Sequence, residues 1–356
     1  MEGCITTLPI TPKANPGINL MIQPFVMDVF GAKMGLERII SLCPISGFGS
    51  NGNNNDATCY IKSNEMFDIR PDFVWRNDYD QNISLTKKMI HELFSLGYIL
   101  QEKTEIVKCP CGVVESLAIA ENISFSRKKY KNNRCVACGH EVFKTEDLVC
   151  LFCFPSRTEL LPVQIFPKFY EKEFNDMFRR FSGHKFLISK SRPSAFNFEI
   201  QGNNTLLDID FVWQLFLSSL YRSGHNIKFL VGSNKSILAC LFAVIFFNIL
   251  DKKEISIIIP PYCLAPGRKE LEDTQYALSS LLAKDDAKTI RLMLATAMNW
   301  KLKESVIDFE ILEVIRKISH KITSLPKNDS DILEIANFFN KQIIKKILSS
   351  ARKEKM

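Results

Sequence analysis

The chain has no strong excess of anything that would mark a fibrous or disordered polymer: Gly and Pro number 15 each, hydrophobic residues make up 46% and charged residues 24%. A composition of that kind excludes collagen-like and intrinsically unfolded classes and supports a large buried core. It also lacks charge of one sign. Lys and Arg number 46 against 39 Asp and Glu, a formal +7, too dilute an excess to identify a nucleic-acid partner. No apolar run is long enough to span about 30 Å of hydrocarbon. The longest, Ile237 to Leu250, is broken by Asn248 and followed by Asp251, Lys252 and Lys253, and it reads as a buried helix. The first residues, MEGCITTLPITPKANPG, lack the basic start and apolar stretch of a secretion leader, so the expected location is cytoplasmic, with no membrane partner. Histidine is scarce as well, with 5 in the chain and none before His91.

At 356 residues, and about 150 residues per domain, there is room for two packed units or one elaborate α/β unit with an insertion. Ile5 to Ile10 reads as a strand, Pro16-Gly17 as a break, and the run from Leu20 through Phe25, Val26, Val29 and Phe30 as a helix. Ile39 to Ile45 is a second strand, and Gly47 to Asn55 is loop. Ser84 is placed to cap a helix ending at Gly97, with a β segment from Tyr98 to Val107. Helical spacing returns at Phe169 to Phe181 and Leu207 to Tyr221. Then Lys228 to Val231 (strand), Ile237 to Leu250 (helix) and Ile255 to Ile259 (strand) alternate, a pattern that implies a parallel sheet covered on both faces. From Leu271 onward every segment reads as helical, including Asp286 to Met298, Phe309 to Ile322 and Ile332 to Leu348.

Six of the 11 cysteines crowd into three pairs: Cys109 and Cys111, Cys135 and Cys138, Cys150 and Cys153. Paired thiolates separated by a short turn are the ligand geometry of a zinc knuckle, and Gly139 permits the bend after the second pair. Six thiols exceed one tetrahedral site and fall short of two. The first quartet is Cys109, Cys111, Cys135 and Cys138; Cys135, Cys138, Cys150 and Cys153 satisfy spacing at least as well, and His140 is a further candidate. An all-thiolate zinc has no open position for water, so the site is structural. The basic run Arg127-Lys128-Lys129-Tyr130-Lys131 between the pairs reads as a solvated finger surface, with phosphate contact as the alternative.

An α/β half, a cysteine-rich insertion, a second α/β half and a helical tail together resemble the class I aminoacyl-tRNA synthetases, in particular the bacterial type of methionyl-tRNA synthetase. The segments that carry the likeness are FSLGYILQEKTEIVKC (94–109), LISKSRPSAFNFEI (187–200), FVWQLF from Phe211, FLVGSNKS from Phe229 and DDAKTIRLML (285–294). The resemblance covers roughly residues 1–320. It implies a Rossmann-like parallel sheet over 1–100 and 166–270, split by a zinc-knuckle insertion at 101–165 and followed by a C-terminal helical stem and truncated helical region at 271–356. It further implies a nucleotide site at Pro16, Gly17, Asn19, Gly232 and Asn234, an amino-acid pocket lined by Trp213, structural zinc, and ATP with Mg2+.

The family's chemistry is altered in this sequence. Its His-Ile-Gly-His signature corresponds to Asn19-Leu20-Met21-Ile22, and its Lys-Met-Ser-Lys-Ser loop to Ala265 through Asp273, where Arg268 and Lys269 are the remaining phosphate contacts among Glu270, Glu272 and Asp273. The acid expected two residues after Trp213 is Leu215, and the Lys-Asp expected after Gly232 is Ser233-Asn234. The expectation is therefore a pseudo-synthetase that binds a nucleotide, an amino acid or a protein partner without fast adenylation. The alternative is a divergent ATP-dependent ligase that activates an amino acid or another carboxylic acid for tRNA or a different acceptor. A third possibility is a nucleic-acid-binding zinc protein. The basic tail with Lys341, Lys345, Lys346, Arg352, Lys353 and Lys355 leaves tRNA or other RNA as an open partner.

Overall fold

The computed structural model describes residues 3–45, 54–112, 114–116, 130–135, 138–156, 161–189, 195–200, 203–265, 269–270, 278–300 and 302–307. In chain order the first half comprises β1 (Cys4–Thr7), α1 (Ile18–Met34), β2 (Glu37–Leu42), α2 (Asn54–Met66), β3 (Phe73–Arg76) and α3 (Asp80–Ser95). An inserted region follows with β4 (Ile99–Lys108), β5 (Val114–Ser116), β6 (Tyr130–Lys131), β7 (Arg134–Cys135) and β8 (Phe143–Cys153). The chain then returns through β9 (Gln164–Phe166), α4 (Phe169–Phe181), β10 (Lys185–Leu187), β11 (Phe196–Ile200), β12 (Asn203–Leu207), α5 (Ile209–Val212), α6 (Phe216–Arg222), β13 (Ile227–Val231), α7 (Ile237–Asp251) and β14 (Ser256–Ile258). It continues with β15 (Tyr262–Ala265), β16 (Lys269–Glu270), α8 (Leu278–Leu282), α9 (Ala287–Ala297) and β17 (Glu304–Val306).

Six strands form one parallel sheet in the order β3-β2-β1-β13-β14-β9. Every residue of β1 is buried, as expected of a central strand covered on both faces. Alternation along the strands divides the core. Cys4, Ile39, Leu230 and Ile257 face the cluster built with α3, α4, α6 and α7, whereas Ile5, Ile40, Val231 and Ile258 face α1, α2, α8 and α9. With its leading turn, α7 forms an 18-residue segment long and apolar enough for a membrane span, but it is a core helix with Ile237 and Cys240 through Leu250 buried. The inserted region is a long antiparallel ribbon of β4 and β8, widened by β10 and β5 into a four-stranded sheet.

Several sequence expectations need correction. Helix α2 begins at Asn54, inside the loop expected over Gly47 to Asn55, and among its described side chains Ala57, Tyr60 and Asn64 are buried, too sparse a stripe to stand out in a polar run. Helix α3 starts at Asp80 rather than after Ser84, although Gly97 does end it, at φ +79. The span 207–221 is not one helix: a 3-10 turn at Trp213–Leu215 separates α5 from α6. The region after Leu271 is not uniformly helical, because β17 pairs in parallel with β15. Phe309 to Ile322 and Ile332 to Leu348 lie outside the described residues.

Candidate functional site

The chain moves from β1 to β2 on one side of the sheet and from β13 to β14 on the other, so strand order reverses between neighbouring β1 and β13. A crevice at the carboxyl ends of such strands is the usual ligand position in an open α/β sheet. Backbone bonds from Leu8 N to Val231 O (2.8 Å) and from Gly232 N to Ile258 O (2.8 Å) close its floor. Two long helices start at this edge from opposite faces. Helix α1 begins after Gly17 and α7 after Ser236; neither has a side-chain cap or an acidic residue in its first turn. Their first-turn N–H groups carry the positive end of each helix dipole.

Of the residues the sequence singles out, the structure gathers Pro16, Gly17, Asn19, Gly232 and Asn234 around this edge. The Pro16 carbonyl accepts from Leu278 N at 2.9 Å. Asn19 Nδ2 donates to the Cys263 carbonyl at 2.9 Å, and Asn234 Nδ2 to the Lys303 carbonyl at 2.8 Å. The other amide atom of each, Oδ1, is buried without a hydrogen-bond partner. A Cβ at Gly232 would meet Cys240 Sγ at 2.4 Å, so glycine allows α7 to close against the strand end. Burial pushes the Cys240 and Cys263 thiols up to about 12, which makes them inert as nucleophiles at neutral pH. Trp213 lies in the 3-10 turn, half-buried against the core that contains α7.

Of the phosphate candidates, Arg268 lies outside the described residues, and Lys269 is described only through its backbone, as the β16 partner of Ala265. Sequence reasoning missed a different cation. Lys235, in the 3-10 turn Asn234–Ser236, places Nζ 3.8 Å from the centre of the Tyr262 ring. Its position directly after Asn234 was visible in the sequence; its pairing with a residue 27 positions on was not. His91 packs at a tilt against Phe198, and His225 Nδ1 meets Glu37 at 3.0 Å, at the start of β2 and so at the sheet's opposite edge.

The cysteines separate into two groups. Cys109, Cys111, Cys135 and Cys138 bring their Sγ atoms within 4.8 Å of one another. Gly112 and Gly139 follow the two pairs at φ +77 and +72, and their N–H groups return to the Cys109 and Cys135 carbonyls at 2.8 Å. These are two knuckle turns aimed at one point. Around a zinc ion with Zn–S near 2.3 Å the sulfurs of a tetrahedron lie roughly 3.8 Å apart, so the four-thiol donor set fits the metal; Cys111 to Cys135 is 3.6 Å, and Cys109 to Cys111, at 2.7 Å, would have to open to ligate. Cys150 and Cys153 do not belong to this site. On the β4–β8 ladder Lys108 faces Phe143 at one end, and Gln101 faces Cys150 near the other. Seven residues of strand put them roughly 23 Å apart. Cys150 is fully buried in the main core, with its N–H on Ser189 Oγ at 2.6 Å. Burial raises its thiol and that of Cys153. The alternative quartet is thereby excluded. His140 is exposed and contributes its carbonyl, which accepts from Cys135 N at 2.8 Å.

No family model and no curated protein matches this sequence. Among solved structures, the Mycobacterium tuberculosis methionyl-tRNA synthetase bound by methionyl-adenylate is similar with a TM-score of 0.66 and 12% identity, covering 91% of this chain and 69% of that one. A second structure of that enzyme with methionyl-adenylate has a TM-score of 0.63 and 14% identity, covering 90% and 69%. The fold is similar to that of these methionyl-tRNA synthetase structures, the likeness that the ordered sequence segments imply.

Proposed function

We propose that this chain is a methionyl-tRNA-synthetase-like protein that binds an adenine nucleotide and an amino acid in the β1/β13 crevice but has lost fast adenylation. One observation carries this reading. In the first turn of α1, where the resemblance implies the two signature imidazoles, Asn19 is tied to the Cys263 carbonyl and Ile22 is buried in the core at 4% exposure. Neither side chain can carry a positive charge toward a phosphate. Loss of a single oriented stabiliser at a reacting centre typically costs about 3 to 4 kcal/mol, or two to three orders of magnitude in rate, and here both signature positions are changed.

In this reading Pro16 and Gly17 allow close backbone approach to the nucleotide, Asn19, Gly232 and Asn234 border it, and Trp213 lines the amino-acid side. Cys109, Cys111, Cys135 and Cys138 hold a structural zinc ion, which would tie the inserted region together without an open coordination position. ATP would arrive with Mg2+, and the protein would work in the cytoplasm. A protein or RNA partner would then read the ligand state.

ATP–pyrophosphate exchange with methionine and a panel of amino acids, run beside calorimetric titration of ATP, tests the proposal. Nucleotide binding without exchange is the expected result. Rapid exchange would overturn it in favour of a divergent ligase, and an absence of any nucleotide or amino-acid binding would remove the crevice as a site.

A further inference from the structure

The two knuckles of the thiol site are not built alike. Two residues separate Cys135 from Cys138, and backbone bonds pin their turn: Cys135 N to His140 O and Gly139 N to Cys135 O, both 2.8 Å, and Val142 N to Asn133 O, 2.9 Å. Cys109 and Cys111 have only Pro110 between them, and Gly112 N closes their turn on the Cys109 carbonyl at 2.8 Å. The shorter turn brings the Sγ atoms of Cys109 and Cys111 to 2.7 Å, against 3.6 Å from Cys111 to Cys135. A tetrahedral zinc edge is roughly 3.8 Å and a disulfide bond about 2.05 Å, so this pair stands nearer to a covalent bond than to the spacing the metal demands. Little else joins the knuckles. Beyond the cysteines, Val142 alone among the described hydrophobic side chains packs in this cluster. Cys111 is half-buried and Cys109 is 4% exposed, so a small oxidant reaches Cys111 first. Cys150, set in the main core roughly 23 Å along the ribbon, is too distant to pair with either.

Resting on the zinc reading above, we infer that Cys109 and Cys111 form an oxidation site, at which hydrogen peroxide converts the two zinc ligands to a disulfide and frees the ion. As zinc ligands both sulfurs are thiolates, the nucleophilic form. The Cys111 sulfur attacks one peroxide oxygen; the O–O bond breaks, hydroxide leaves and a sulfenic acid forms. The Cys109 thiolate then attacks that sulfenic sulfur, the S–S bond forms and a second hydroxide departs. Two electrons pass from the pair of sulfurs to peroxide, and no other co-reactant is needed. Cys135 and Cys138 then remain as half of the donor set and cannot keep the ion, so the two knuckles lose their tie.

Peroxide treatment of the zinc-loaded full chain tests the assignment, with a chromophoric chelator reporting freed zinc and alkylation followed by peptide mass mapping reporting the thiols. Zinc should appear as the Cys109–Cys111 disulfide forms, and a thiol reductant with added zinc should reverse both. Cys111→His keeps a ligand but leaves Cys109 without a partner, and should slow release roughly tenfold or more. The Cys150→Ser, Cys153→Ser double variant should release zinc at the wild-type rate. Zinc retained under peroxide, or freed while a Cys135–Cys138 or a cross-knuckle disulfide forms instead, would overturn the assignment while the zinc reading stands. Should Cys111→His fail to load zinc, the wild-type disulfide map decides between these results. A chain purified without zinc, and unable to load it, that still forms the Cys109–Cys111 disulfide would overturn the zinc reading and support the pair as the oxidation site. Neither zinc nor that disulfide would overturn both.

Discussion

The hydroxyl of Tyr60 donates a 2.7 Å hydrogen bond to the carbonyl of Leu20, the acceptor left without a helical partner by Pro24 four residues later in α1. Proline has no N–H to close that turn, and a fully buried phenol from α2 supplies the missing donor. Burial raises that phenol well above its usual range, so it remains a donor at any physiological pH. Tyr60→Phe should lower stability by about 1 to 3 kcal/mol, the usual cost of stranding a buried acceptor. The double variant with Pro24→Ala should recover part of the loss, because alanine at that position has a backbone N–H to donate to Leu20 within the helix. Urea unfolding of the four proteins measures the coupling, and strictly additive losses would show that the two residues do not share this acceptor.

Gly232→Ala places a methyl group 2.4 Å from Cys240 Sγ, in a core where both partners are fixed by packing. A loss of about 1 to 3 kcal/mol is expected. Trimming the obstacle with Cys240→Ala in the same chain should restore most of it, as read from chemical denaturation.

Arg38 grips Asp72 through Nε (3.1 Å), Nη2 (3.2 Å) and its backbone N–H (2.9 Å), and these bonds hold the Asp72 carboxyl below its usual range. A carboxylate with a depressed folded pKa stabilises the fold above its unfolded value, near 3.9. That contribution is lost as pH falls through the lower folded value. The carboxyl is about one-third exposed, so the effect is modest. Asp72→Asn should cost about 1 kcal/mol at pH 7, and the gap between variant and wild type should close progressively in unfolding curves taken below pH 4.

Metal analysis of purified protein should find one zinc per chain. Changing Cys109 and Cys135 together to Ser should abolish it, whereas changing Cys150 and Cys153 should leave the zinc in place and instead lower stability through the main core. Retention of zinc by the first variant, or its loss from the second, would contradict the separation along the β4–β8 ribbon.

Much of this architecture was readable before any coordinate. Phe174, Phe178 and Phe181 repeat at helical spacing and occupy the buried face of α4. The isoleucine-rich run at Ile255 to Ile259 contains β14, covered on both faces. Two cysteine pairs with glycines behind them are a local pattern, and both knuckles formed. The misses have a common cause. Helix α2 hides because its buried residues are few, and the break at Trp213 leaves the apolar spacing almost unchanged while altering the backbone.

The order of amino acids determined the elements, the α/β alternation, the presence of a thiol site and the absence of imidazoles near the first helix, because each follows from residues close together in the chain. Only the folded chain decided which four of six cysteines meet, since strand register, not spacing, sets distance along a ribbon. It alone brought Tyr60 to Leu20, Asn19 to Cys263 and Lys235 to Tyr262, contacts made when separate elements pack against a shared sheet and one residue's unmet hydrogen bond or charge finds its partner far away in sequence.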